Sequence, residues 1–200
     1  MSLSPAPTHL LAERRIRLSA ALASHLPADA REAAHRTGML ALAAAPGDVF
    51  ARSHFAPGHF TASAFVLSPD ATALLLIFHR RLGRWLQPGG HIEPGDESVT
   101  AAARREVEEE TGLVDLDEPA VGAGGGALLD LDVHPIPAHG TEPAHEHFDV
   151  RVLLRARSAE IAPGPDVGGA RWVPLEAVAA AMTDESVRRV AAKLAEIRHA

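Results

Sequence analysis

The chain has 200 residues, of which 46% are hydrophobic and 22% charged, a composition typical of a folded globular protein. It contains no cysteine, which excludes disulfide bonds, thiolate metal ligands and a thiol nucleophile. The formal net charge of −7 argues against binding to duplex nucleic acid. The longest apolar runs are too short to span a membrane, and the first 20 residues lack the pattern of a signal peptide. We therefore expect a cytoplasmic protein with no membrane segment.

Two helices are predicted between residue 8 and about residue 45. The first carries one stripe of leucines, spaced by seven and four residues: Leu11, Leu18, Leu22 and Leu26. Asp29 is a suitable N-cap for the second helix, which the Pro46–Gly47 pair ends. We expect residues 1–57 to form a helical N-terminal extension. Its apolar stripe requires burial, as a lid, as a homodimer surface or against a sheet edge, and the sequence leaves these three alternatives open.

The rest of the chain, residues 58–200, has the pattern of one mixed α/β domain. A strand hairpin over residues 58–80 and a Gly- and Pro-rich loop over 87–98 precede an Ala-, Arg- and Glu-rich helix that Gly112 ends. Further elements follow: a loop and strand over 120–137, an alternating strand over 145–156, a strand and helix over 170–182, and a closing helix over 184–200.

The Glu-rich helix, over residues 98–111, places three carboxylates on one face. Glu106, Glu109 and Glu110 are separated by three and four residues, so their side chains project together. Three neighbouring carboxylates do not stay ionised without a counter-charge. Mg²⁺ or Mn²⁺ is the natural counter-ion, because these cations take oxygen ligands and keep positions open for water and phosphate. A solvated acidic surface is the alternative.

The segment GGHIEPGDESVTAAARREVEEETGL, residues 89–113, resembles the Nudix box. The second half of the box matches at Arg105, Glu106, Val107, Glu109, Glu110, Gly112 and Leu113. Glu97 stands the expected eight residues before Arg105, whereas the interval from Gly90 to Glu97 is one residue longer than the usual pattern. The segment ARWVPLEAV, residues 170–178, is also similar to the strand and helix found late in Nudix domains.

This resemblance implies a Nudix fold, with a mixed curved β-sheet sandwiched between helices. It also implies metal-dependent hydrolysis of a nucleoside diphosphate linked to another moiety. Glu106 and Glu110 would then be the principal ligands of Mg²⁺ or Mn²⁺, and Glu109 a further ligand or the general base. The substrate would be a small nucleotide-type molecule.

Two more roles follow from the resemblance. Arg105 and Glu97 are expected to form an ion pair that holds the box in shape. The backbone carbonyl of Gly90 is a candidate for an additional metal ligand.

The strand over residues 145–156 places His145, His147 and Asp149 on one face. This face either lines the substrate pocket and supplies a metal or phosphate contact, or it is a solvent-exposed sheet face with no function. A sharper alternative is a zinc site formed by His134, His139, His145 and His147, although their spacing matches no standard zinc module.

Basic and aromatic residues just before the box are candidates for substrate binding. One of Arg80, Arg81 and Arg84 is predicted to contact a substrate phosphate, with solvated loop arginines as the alternative. His91 is expected to face the pocket, and Trp85 to pack beneath the box rather than stack on a base. No role is assigned to His54 and His59.

Two other functions fit the same resemblance. The first is a non-catalytic Nudix-fold sensor that binds a nucleotide sugar, against which the complete set of glutamates argues. The second is the isopentenyl diphosphate isomerase branch of the fold, against which the absence of cysteine argues.

Overall fold

The structure, a computed structural model, describes residues 8–121, 127–181, 189–190 and 193–194. In chain order its elements are α1 (Thr8–Ser24), α2 (Ala30–Ala44), β1 (Gly58–Leu67), β2 (Ala73–His79), β3 (Arg84–Leu86), β4 (Gly89–His91), α3 (Val99–Thr111), β5 (Leu116–Asp117), β6 (Leu128–Ile136), β7 (His145–Ala156), β8 (Ala170–Pro174) and α4 (Leu175–Ala181).

All eight of these strands belong to one mixed sheet. The central order is β3-β2-β1-β7-β5, with β4 paired to β1, β6 to β7 and β8 to β2. The β1–β7 pair is parallel and continuous over ten residues of β1, whereas the other pairs are antiparallel. The mixed α/β fold predicted from the sequence is therefore confirmed.

Side chains alternate across the central strands and divide the core in two. One cluster joins even-numbered residues of β1 and β7, such as Phe60 and Val150, to the helices α1, α2 and α3. The second cluster contains Phe65 and Leu153 and packs against α4 and the helical residues Val190 and Leu194. Helices thus cover both faces of the sheet, as expected for this fold.

The two N-terminal helices are present, and the apolar stripe of α1 finds its cover against the sheet. Leu18 and Leu22 are buried in the first core cluster, whereas Leu26 lies beyond the helix and is 74% exposed. Glu32 of α2 is fully buried and accepts hydrogen bonds from the Leu131 backbone N–H and the Lys193 ammonium. Packing on the sheet therefore accounts for the burial that the sequence required.

Arg14 connects α1 to the loop before α3. Its guanidinium, 1% exposed, donates to the backbone carbonyl of Glu93 at 3.1 Å and to those of Pro94 and Asp96. It also lies over the ring of Phe50, 5.0 Å from the centroid. A single buried cation on the extension therefore fixes three carbonyls of the Gly- and Pro-rich loop.

Some predicted elements fall partly outside the described residues. The Gly-rich stretch 122–126 and most of the predicted closing helix over 184–200 are among them, although residues 189–190 and 193–194 are helical. None of the helices in the described part of the chain is long and apolar enough to cross a membrane.

Candidate active site

Local sequence fixes both ends of α3, the helix that carries the glutamates. The side chain of Ser98 is the N-cap and accepts a hydrogen bond from the Ala101 N–H. Gly112 ends the helix with φ of 73°, a left-handed conformation that glycine adopts without strain. These caps set the register of the helix, so Glu106 and Glu110 project from the same face.

Two of the three glutamates lie against the glycines of β4. The Gly89 N–H donates to Glu110 Oε2 at 3.1 Å. A Cβ atom placed on Gly90 would lie 2.6 Å from Glu106 Oε1, a distance that real Cβ atoms do not tolerate. The missing side chain at Gly90 thus leaves the space in which the carboxylate of Glu106 sits.

The third glutamate lies apart from this contact. Glu109 is 56% exposed in its side chain and pairs with Arg105 Nη1 at 3.0 Å. Arg105 Nη1 also pairs with Glu106 at 3.0 Å, so one guanidinium nitrogen bridges both carboxylates. Glu108 is exposed, as expected for a solvated surface charge.

Burial perturbs the two inner carboxyl groups. It raises the pKa of Glu110 to about 7, and the charges of Glu106 and Glu109 act in the same direction. Burial also raises the pKa of Glu106, although the nearby guanidinium of Arg105 opposes the change. Glu106 and Glu110 offer only oxygen atoms as metal ligands. The doubly ionised form of this pair is disfavoured without a counter-charge, so the pair fits a hard divalent cation.

Arg105 is held by a different acidic residue from the one that the sequence predicted. Its Nε and Nη2 donate to the two carboxylate oxygens of Asp96 at 3.1 and 3.0 Å, and Nη2 donates to the His91 carbonyl at 2.9 Å. The predicted pair with Glu97 is wrong, since Glu97 is exposed whereas Asp96 is 7% exposed.

The spacing of the loop explains this correction. Asp96 stands at the usual interval from Gly90, and its carboxylate also accepts the Glu93 N–H at 2.7 Å. The turn is thereby closed around Asp96, and the additional residue, Glu97, is directed to solvent. The usual spacing of the box, applied from Gly90 instead of from Arg105, identifies Asp96 as the partner of Arg105.

A cavity of about 580 Å³ opens beside Gly89 and Gly90. It is lined by residues of the central strands and of the loops at their ends, including the predicted Arg84, His91, His145, His147 and Asp149. This volume is within the usual range for small-molecule sites, roughly 300–1,000 Å³. The cavity also contains Arg81, another of the three candidate arginines, and Arg52, which was not predicted as a site residue.

Arg80 does not line this cavity, and its contact with a substrate phosphate stays a prediction. Its Nε donates to the Val167 carbonyl at 2.9 Å, which directs the guanidinium toward the loop before β8. Trp85 packs edge-on against Phe78 at 5.4 Å and lies beneath the guanidinium of Arg171 at 4.0 Å. Trp85 therefore packs as a core-side residue, but against the second core cluster and not beneath the box, because the residues of α3 belong to the first cluster.

Asp149 lines the cavity but is bound by three donors of the protein. Thr61 Oγ1 and Ser63 Oγ donate to it at 3.2 and 2.8 Å, and Arg151 Nε at 2.9 Å. Arg151 also pairs with Asp132 at 3.1 Å in the same buried network. These contacts favour a structural role for Asp149, and its role toward a substrate stays a prediction.

Four histidines form a group, three of which, His91, His145 and His147, line the cavity. The rings of His59, His91, His145 and His147 have centroids 4.8–5.3 Å apart in five pairs. His59 was not assigned a role, and it enters because parallel β1 and β7 place it directly beside His147. No local pattern indicates that pairing, since the two residues are 88 positions apart.

The zinc set proposed from the sequence needs correction. His139 is exposed and lies in a turn, where its backbone pairs with that of Glu142. His134 is bound to Asp132 at 3.1 Å, and this hydrogen bond raises its pKa although burial opposes the change. In contrast, burial lowers the pKa of His59 and of His91 to about 4 and that of His147 to about 2.

The fold agrees with comparisons to known proteins. The NUDIX domain family model matches residues 57–194, more than half of the chain. The chain therefore belongs to the Nudix family.

Two isopentenyl-diphosphate Delta-isomerases of Streptomyces are related to the chain. The S. griseus protein is 34% identical over 122 residues, which cover 57% of this chain and 55% of that protein. The S. coelicolor protein is 33% identical over 130 residues, which cover 60% of each. The chain thus matches less than two thirds of the length of these relatives.

Among solved structures, the dihydroneopterin triphosphate pyrophosphohydrolase of E. coli superposes with a TM-score of 0.50 and 18% identity. The match covers 66% of this chain and 91% of the E. coli chain. This likeness confirms the fold.

Proposed function

We propose that this protein is a metal-dependent Nudix pyrophosphohydrolase that cleaves a nucleoside diphosphate linked to another moiety. The observation that carries the proposal is the contact of Glu106 and Glu110 with the backbone of Gly90 and Gly89 at the edge of the cavity. Two partly buried carboxyl groups with raised pKa values, packed against two glycines that line a cavity, are typical of a functional site rather than of a solvated surface.

Mg²⁺ or Mn²⁺ is the cofactor that suits these residues. Glu106 and Glu110 would hold the ion, with the Gly90 carbonyl as a further ligand. When bound, such a cation neutralises the charge of a diphosphate and makes a water molecule more acidic.

The remaining box residues keep this arrangement in place. Arg105 orients Glu106 and Glu109, and Asp96 in turn fixes Arg105 with two hydrogen bonds. Glu109, which is the most exposed of the three glutamates, would either complete the ligand set or accept the proton of the attacking water. Both roles of Glu109 stay open.

The cavity supports a phosphate-containing substrate. Arg52, Arg81 and Arg84 line it, and guanidinium groups bind phosphate in a two-point manner. A nucleoside diphosphate derivative of ordinary size fits a volume of about 580 Å³. A cytoplasmic location and a homodimer stay predictions of the sequence.

A panel of substrates tests the proposal. Nucleoside monophosphate or diphosphate formation is measured by chromatography from nucleoside triphosphates, oxidised nucleotides, ADP-ribose and nucleotide sugars, with and without Mg²⁺ or Mn²⁺. Triphosphates release pyrophosphate or phosphate as the second product, whereas ADP-ribose and nucleotide sugars release a sugar phosphate. Glu110→Gln is expected to lower kcat/KM at least about 100-fold, because it weakens the metal site. Glu108→Gln, on the same helix but exposed, is the matched control and should retain full activity.

Two outcomes would contradict the hydrolase. Native turnover by Glu110→Gln would mean that the metal site is misplaced. Tight binding of one panel member without any turnover would instead favour a ligand sensor.

Isopentenyl diphosphate isomerisation is a second candidate, favoured by the identity of 33–34% with two isomerases. The absence of cysteine argues against it. Incubation with isopentenyl diphosphate distinguishes the two reactions, since an isomerase yields dimethylallyl diphosphate whereas a hydrolase yields phosphate.

A further inference from the structure

We propose that His59, His145 and His147 form a second metal site, which binds one divalent transition metal ion of the zinc type. This site differs from the glutamate site in position and in ligand chemistry. It does not depend on the proposed hydrolase function.

The first argument is convergence. One ring nitrogen from each of the three histidines lies within 4.8 Å of the other two. Among the described residues this is the only set of three or more His, Asp or Glu side chains that meets that limit. Parallel strands β1 and β7 cause the convergence, because their register places His59 beside His147 and leaves His145 two residues earlier on the same face.

The second argument is the direction of the free nitrogens. His59 Nδ1 lies 3.2 Å from the His54 carbonyl, and His145 Nδ1 lies 2.8 Å from the Pro143 carbonyl. A carbonyl only accepts, so in both rings Nδ1 carries the hydrogen and Nε2 keeps a lone pair. A backbone carbonyl on the second ring nitrogen is the usual support of a metal-binding histidine.

The third argument is an unpaired buried atom. His59 is 0% exposed, and its Nε2 has no hydrogen-bond partner in the described part of the chain. Buried polar atoms are normally paired, and an unpaired one calls for an explanation. A metal ion between the three rings would supply the missing partner of this nitrogen.

The chemistry of the ligands selects the ion. Imidazole nitrogens favour Zn²⁺ and its neighbours in the first transition series, whereas Mg²⁺ and Ca²⁺ prefer oxygen ligands. The Nε2 lone pairs of His59 and His145, left free by the hydrogen bonds at Nδ1, belong to the form of imidazole that coordinates such an ion. Three protein ligands leave a fourth position open, as in catalytic rather than structural zinc sites.

His145 and His147 line the cavity, so the open position faces the space assigned to the substrate. His91, whose ring centroid is 5.2 Å from those of His59 and His147, is next to this position. His91 directly follows Gly90, against which Glu106 lies, so β4 contacts both the histidine group and the glutamates. We infer that a phosphate or another oxygen anion would occupy the fourth position.

Metal binding to the full-length chain tests the site directly. Protein treated with a chelator is titrated with Co²⁺ and Zn²⁺ in the presence of excess Mg²⁺, which saturates the oxygen-ligand site. The expected result is one tightly bound Zn²⁺ per chain, and a Co²⁺ absorption spectrum typical of four or five ligands. A weak six-coordinate Co²⁺ spectrum, or no retained Zn²⁺, would overturn the proposal.

Variants assign the ligands. His147→Ala and His145→Ala should each weaken Zn²⁺ binding by at least about tenfold, with the circular dichroism spectrum unchanged. The exposed His139→Ala is the matched control and should bind as the native chain does. Equal Zn²⁺ binding by all three variants would refute the site.

A further variant separates this proposal from the hydrolase. Glu110→Gln should retain the Zn²⁺ stoichiometry even though it loses turnover. Loss of Zn²⁺ in Glu110→Gln would show that the ion binds at the glutamates instead, and would overturn the histidine site without affecting the proposed hydrolysis.

Discussion

Arg14, in the first helix, donates a hydrogen bond to the carbonyl of Glu93 at 3.1 Å, 79 residues further along the chain. The same guanidinium reaches the carbonyl of Asp96, whose side chain holds Arg105. The N-terminal extension is thus connected to the glutamates through a short series of hydrogen bonds, and is more than a cover for the sheet.

Replacement of this buried cation should affect both stability and catalysis. Arg14→Met leaves the three loop carbonyls without their donor, and we expect a loss of about 2–3 kcal/mol in the free energy of unfolding. Denaturant unfolding and kcat are the measurements. Arg17→Met is the control, because Arg17 on the same helix is 61% exposed in its side chain and makes only a surface pair, so a change within about 0.5 kcal/mol is expected.

Asp96 and Glu97 offer a test of the corrected ion pair. Asp96→Asn should destabilise the protein by roughly 1–3 kcal/mol, because it leaves a buried guanidinium with a weaker partner, and should reduce turnover. Glu97→Gln should change stability by less than about 0.5 kcal/mol. If Glu97→Gln proves the more damaging substitution, Glu97 is the functional partner of Arg105.

The space at Gly90 predicts a selective loss of activity. In Gly90→Ala the new methyl group would lie 2.6 Å from Glu106 Oε1, so the carboxylate must move. A displacement of this size is expected to cost about 100-fold in kcat/KM. Gly95→Ala is the matched control, since a Cβ there meets no atom within 4 Å, and it should remain fully active.

The raised pKa of Glu110 predicts how stability depends on pH in the metal-free protein. The folded-state pKa is about 7 against an ordinary value of 4.5, so the folded chain binds the proton more tightly than the unfolded chain. The stabilisation from this group is complete below pH 4.5 and is lost as the pH rises through 7. We expect a loss of roughly 2–3 kcal/mol over this window.

Glu110→Gln removes that dependence, so the difference in unfolding free energy between the native protein and the variant isolates the contribution of Glu110 from that of the other titratable groups. Denaturant unfolding between pH 4.5 and 8 in the presence of a chelator provides the measurement. A difference that stays constant across this range would show that the carboxyl group is not perturbed. Added Mg²⁺ should restore stability to the native protein more than to the variant.

The parts of this molecule that the sequence predicts well are those set by short-range rules. The limits of α3 follow from Ser98 and Gly112, and the spacing of the glutamates follows from the helical period. Likewise, the alternation over residues 145–156 predicts a strand with one polar face, and β7 is that strand.

The parts that the sequence did not predict depend on contacts between distant residues. His59 joins His147 only through the register of two parallel strands, and Arg14 reaches the box loop only through the packing of α1. Arg80 lies outside the cavity lining for the same reason, since its Nε donates to the Val167 carbonyl, 87 residues away. Charge and spacing identify candidates, but the tertiary pairing decides among them.

The ten-residue parallel ladder between β1 and β7 also limits how this protein can diverge. Because neighbouring side chains in a strand point to opposite faces, insertion or deletion of one residue within β1 would exchange its two faces. Phe60 and Ala62 would then turn toward the cavity, and His59 and Thr61 would enter the hydrophobic interior. New ligand preferences in descendants of this sequence must therefore arise from side-chain replacement and from the flanking loops, while the length of the strand stays fixed.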